Sequence, residues 1–116
     1  MTKSKAEKAF NAYVSSAVGY YKRKNAEHNF DLASALDCSE SFIKQANTNL
    51  NGKHYNAYHL WLLAKHFDVD VSELYPPRGK QEEDFMKYCQ IRPNATRQSF
   101  YDFVELLGQY YDTESN

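Results

Sequence analysis

From Phe10 onward the apolar residues Phe10, Tyr13, Val14, Ala17, Val18 and Tyr21 fall three and four apart, the spacing that lines one face of an α-helix. The same period returns in Ala57, Leu60, Trp61, Leu63, Ala64 and Phe67, and again in Phe100, Phe103, Val104, Leu107 and Tyr110. Nowhere along the 116 residues does a stretch of any length alternate apolar and polar side chains as a half-buried strand would. An all-α chain is the expectation. Its length allows one well-filled core rather than two independent ones.

Start and stop signals divide this pattern into helices. The first is expected from about Lys5 to Asn25, with Lys22, Arg23 and Lys24 in the last turn, where cations suit the helix dipole. A short second helix opens at His28 or Asn29 and ends near Leu36. Asp37-Cys38 makes a turn, and Ser39 caps a third helix through about Thr48. The segment NTNLNGKHYN is rich in turn formers and reads as a loop. Asn56 can cap a fourth helix, whose apolar set is wide enough for burial in the middle of a bundle. Asp70 can cap a short fifth one carrying Val71 and Leu74. Pro76-Pro77-Arg78-Gly79 then ends the unit. Residues 1–76 are thus read as one five-helix domain and 77–116 as a helical extension, with helices over Glu82–Ile91 and Ala95–Tyr111 broken at Pro93.

No chemistry-bearing constellation stands out. The four histidines, His28, His54, His59 and His66, lack the spacing and the carboxylates of a metal or acid–base site, and they read as solvated or capping residues. Cys38 and Cys89 lie too far apart for a metal motif or a disulfide framework. Cys38 is expected to be a small buried hydrophobe. No catalytic residue, metal or cofactor is expected. No apolar run approaches bilayer length, and the N-terminus MTKSKAEKAF is polar and helical rather than a signal peptide, so a cytoplasmic protein without membrane contact is the expectation. The net charge of −1 is unevenly spread. Residues 1–29 hold six Lys/Arg against two Glu, residues 30–75 three against six, and residues 76–116 five against seven. A phosphate feels such a local excess within a Debye length, not the sum.

Two short helices joined by a tight turn make a helix-turn-helix unit. Residues 14–75 resemble the phage-repressor family of helix-turn-helix domains (the XRE, lambda-repressor-like type), a match over about half of the chain. Leu32-Ala33 resembles the family's Leu-Ala of the second helix, whose small Ala lets the third helix approach. Leu36 and Cys38 flank the turn, Asp37 replaces its usual glycine, Ser39 is the cap and Ile43 the anchor of the recognition helix. LLAKHFDVDVSELYP, from Leu62 to Pro76, follows the family's closing pattern, with Ala64, Phe67, Val69, Val71 and Leu74 on its core positions. The departures are His28-Asn29 in place of Ser/Thr-Gln, a longer loop after the third helix, and Asn47 and Asn49 where the family often has Glu and then Gly. Asn tolerates the left-handed backbone, so Asn49 can stand in for that glycine.

The resemblance implies a transcriptional regulator, a repressor of the phage or mobile-element type, that binds a palindromic operator in double-stranded DNA as a homodimer. Glu40, Ser41, Lys44 and Gln45 are the expected base-reading residues. Gln45 suits adenine and Lys44 guanine or a phosphate, while Glu40 either accepts from the N4 amine of cytosine or only favours the N-terminal dipole of its helix. Lys22, Arg23, Lys24, Asn29, Asn47, Asn49 and Lys53 are the expected phosphate contacts. The aromatic C-terminal helices, with Phe85, Met86, Tyr88, Phe100, Tyr101, Phe103, Tyr110 and Tyr111, are expected either to pair two chains as a homodimer or to close a core within one chain. The alternative is a protein-interaction module on the same scaffold, as in antitoxins and phage or plasmid accessory proteins. The near-neutral charge, Glu40 and the C-terminal aromatics suit it.

Overall fold

A computed structural model describes residues 4–108 of the chain. Among them it forms six α-helices and no strand: α1 Lys5–Lys24, α2 Asn29–Leu36, α3 Glu40–Thr48, α4 Ala57–Phe67, α5 Glu82–Ile91 and α6 Arg97–Leu106. None is long and apolar enough to cross a membrane. Contacts group the chain into two compact units, one of Asn11–Tyr75, the other of Met1–Phe10 together with Pro76–Asn116.

In the first unit, the helix ends follow from local chemistry. Ser39 accepts from the Phe42 backbone N–H at 3.1 Å and so starts α3. Asn56 accepts from the His59 N–H at 2.8 Å, and its own N–H donates to His59 Nδ1 at 3.2 Å, so the two residues cap α4 reciprocally. Asp37, Asn49 and Asp68 close α2, α3 and α4 in the left-handed conformation, at φ 54, 55 and 59°. Asn and Asp visit that region more readily than other side chains. The Cys38 N–H then reaches back to Ala33 O and the Val69 N–H to Ala64 O, which takes up carbonyls that each helix end would leave orphaned. Ala17, Val18, Leu32, Ile43, Ala46, Leu63 and Leu74 are buried and make the centre of the unit.

Three expectations are corrected. Trp61 is half exposed rather than part of the core, and Ala57 is exposed too, because the neighbours of α4 cover only the stripe through Leu60, Leu63, Ala64 and Phe67. The fifth helix is one 3-10 turn, Val71–Leu74, capped by Asp70 through the Ser72 N–H. It can grow no further, because Tyr75 precedes a proline and is held in extended backbone. Cys38 is half-buried rather than sealed in the core.

In the second unit, α5 and α6 form a hairpin around Phe100. Its ring lies 5.6 Å from Phe85 and 5.3 Å from Tyr88, and Tyr88 lies 5.1 Å from Phe103. Thr96 caps α6 by accepting from the Ser99 N–H at 3.1 Å. Glu82 pairs with Arg97, whose guanidinium sits 4.3 Å over the Phe85 ring. Helix α6 is therefore shorter than the expected Ala95–Tyr111 at its start. It also stops earlier, at Leu106, with Leu107 as its cap and Gly108 at φ 77°, while Tyr110 and Tyr111 lie outside the described residues.

Candidate nucleic-acid interface

Helix α3 has two distinct sides. Ile43 and Ala46 are completely buried, while Glu40, Ser41 and Lys44 are exposed. Gln45 is half-buried, and its Nε2 donates to Ser41 Oγ one turn earlier at 3.2 Å. The four residues expected to read bases thus share one stretch of α3, with Gln45 tethered along the helix rather than pointing free. Phe42, between the two sides, rests its ring against His59 at 5.1 Å and Tyr55 at 6.1 Å.

The residues expected to touch phosphates separate into three groups. Lys22, Asn29 and Asn47 come together. Lys22 Nζ donates to Asn29 Oδ1 at 2.6 Å, and Asn47 Nδ2 donates to the same oxygen at 3.3 Å. Arg23, Lys24 and Lys53 are exposed. The ammonium of Lys24 lies over the rings of Tyr20 and Tyr21, at 5.9 and 5.8 Å. Asn49 turns inward: its amide nitrogen donates to Ser15 Oγ at 3.1 Å, to Ala46 O at 3.3 Å and to Lys53 O at 3.1 Å. Its donors stitch α3 and the following loop to α1, where the buried Ser15 hydroxyl donates to Ala46 O at 2.7 Å.

The chain has no match among family models, curated proteins or solved structures.

Sequence reasoning missed two participants. Tyr55 is almost fully buried, and its hydroxyl donates to Asn47 Oδ1 at 2.7 Å. Burial is the main cause that raises its phenol pKa, so it stays protonated and remains a donor. Ser15 lies on the apolar face of α1 and anchors the Asn49 amide. The only sign of either was a polar or turn-region residue standing beside apolar neighbours, at Ser15 among Tyr13, Val14 and Ala17, and at Tyr55 inside a loop rich in Asn and Gly. His59 acts as a capping residue, and burial lowers its pKa, aided by His54. Among the described residues no group of three His, Cys, Asp or Glu side chains gathers as a metal site would require.

Proposed function

We propose that residues 11–75 are a repressor-type helix-turn-helix that reads double-stranded DNA, with α3 as the recognition helix in the major groove. The observation that carries this reading is the two-sidedness of α3. Ile43 and Ala46 anchor it completely in the core, and the opposite side offers Glu40, Ser41 and Lys44 to solvent across a tight turn from α2. On this reading Lys44 and Gln45 recognise guanine and adenine edges, Glu40 a cytosine amine, and the Ser41 hydroxyl a donor or an acceptor on a base edge. Gln45 exchanges its bond to Ser41 for a base. Lys22 and Asn29, with Arg23, Lys24 and Lys53, take the phosphates, while Asn47 and Asn49 brace the helix ends. The phage-repressor likeness of residues 14–75 supports a cytoplasmic regulator of a phage or mobile element, acting as a homodimer on a palindromic operator.

The test is retention from a randomised duplex library at near-physiological salt. An enriched palindrome is expected, and Lys44→Ala with Gln45→Ala is expected to abolish the selectivity while the circular dichroism of the protein is unchanged. Selectivity that survives the double substitution rejects α3 as the reader.

A second reading has its own observation. Tyr58 and Trp61 are 64% and 52% exposed on α4, their rings stacked at 6.2 Å with Lys65 4.6 Å over the indole. Such a patch suits a protein partner, and a protein-interaction module would show no enrichment from the library. Salt separates the two readings: binding through several phosphates weakens steeply as salt rises, and burial of aromatic surface does not.

A further inference from the structure

We propose that Tyr55 and Asn47 are positioning residues that fix the Asn29 side-chain amide with its oxygen inward and its NH2 group toward a phosphate of duplex DNA. The inference rests on the DNA-binding reading above and adds to it a chain of polar contacts running from the loop before α4 to the start of α2.

The direction of each bond follows from what each group can do. The Lys22 ammonium has three donors and no acceptor, so the Asn29 atom 2.6 Å away has to be the amide oxygen. Asn47 supplies a second N–H to that oxygen. Asn47 is itself oriented, because the Tyr55 hydroxyl donates to its oxygen at 2.7 Å and leaves its nitrogen to face Asn29. Tyr55 cannot swing away easily. It is 4% exposed, and its ring packs against Phe42 and His59. Reversing the Asn29 amide would set its NH2 against a lysine ammonium and an amide N–H, leaving donors opposed to donors. The Asn29 nitrogen, with two N–H groups, is therefore held on the side away from Lys22 and Asn47. It belongs to the first residue of α2, where the helix dipole favours an anion. The positive charge of Lys22 sits one oxygen behind it.

Three elements thus decide the direction of one short side chain. An Asn has less reach than a Gln, and rotational freedom would waste what reach it has. Orienting it in advance removes an ordering cost from binding.

The experiment uses the full chain and a fluorescein-labelled duplex of mixed sequence, since phosphate contacts do not depend on sequence. Tyr55→Phe keeps the ring and removes only the hydroxyl. It is expected to weaken duplex binding about three- to tenfold, the range of one lost hydrogen bond. The same substitution is expected to change nothing further in an Asn29→Ala background or in an Asn47→Ala background. In the protein without DNA, the Asn29 side-chain NH2 resonances are expected to move in both Tyr55→Phe and Asn47→Ala. A purely structural tyrosine would weaken binding equally in every background and leave those resonances in place, and that result overturns the proposal. If the unaltered protein binds no duplex, the DNA reading fails, and the resonances alone decide the positioning: movement upholds it and stillness rejects it.

Discussion

Asn49 does two tasks with one side chain. Its backbone, at φ 55 and ψ 30, ends α3 in the left-handed region, and its amide nitrogen meets three oxygens from α1, α3 and the loop. The tasks can be separated. Asn49→Gly keeps the backbone conformation and loses the bonds; Asn49→Ala loses the bonds and also forces a Cβ into a left-handed site. Alanine is expected to destabilise by about 1 kcal/mol more than glycine, the lower end of the left-handed penalty. Urea unfolding of the two variants measures the difference, and equal midpoints would mean that the backbone contributes nothing. The left-handed capacity of Asn49 was legible in the sequence, because a residue preference reveals it. Its inward amide was not, since Ser15 lies 34 residues away and only the packed fold brings the two together. The same holds for Asn47 and Tyr55.

At the level of helices, the three-four spacing and the caps Ser39, Asn56 and Asp70 were readable in advance, because each depends on residues within one turn. What spacing cannot reveal is how much of a wide apolar face the neighbours will cover. Helix α4 has six apolar positions on that face and leaves Trp61 and Ala57 uncovered. One contact between elements carries a pH signature. The Tyr21 hydroxyl on α1 donates to Glu73 Oε1 in the 3-10 turn at 3.3 Å, and burial, reinforced by the Glu73 charge, pushes its pKa from 10.0 up to about 12. The folded state holds this proton more tightly than the unfolded chain does. The resulting stability is intact below pH 10 and is lost as pH rises toward 12, a change on the order of 2 kcal/mol. Tyr21→Phe has no proton to lose there. The stability gap between the two proteins, followed by denaturant midpoints across that window, is expected to shift against the unaltered protein. A constant gap would remove Tyr21 as the source.

For the whole molecule, the division at Tyr75 and Pro76 is written in the proline pair, but the grouping of Met1–Phe10 with the C-terminal unit is not. Nothing in a continuous helical pattern marks where α1 passes from one set of contacts to another. The buried residues Ala17, Val18, Leu32, Ile43, Leu63 and Leu74 all belong to Asn11–Tyr75, which gives that unit a core of its own. Deleting residues 80–116 is therefore expected to leave a chain that still unfolds in one cooperative transition. The full chain is expected to sediment as a dimer and the shortened one as a monomer. Phe85, Tyr88, Phe100 and Phe103 pack on one another, so pairing through these helices would have to use exposed side chains such as Met86 and Leu106. An assembly state that does not change on truncation rejects C-terminal pairing, and a broad, non-cooperative transition rejects the autonomy of the first unit.

Trp61 is the single tryptophan of the chain, and it stands on the outside of α4 beside Tyr58 and Lys65. The protein therefore carries one indole probe, which can be excited apart from the tyrosines, and that probe looks outward. Its emission already comes from an indole in partial contact with water, so unfolding changes its colour little, and a fluorescence melt underreports the loss of the core. Anything that settles on α4 changes the surroundings of the same indole directly. The light from this molecule reports on its visitors better than on its own integrity.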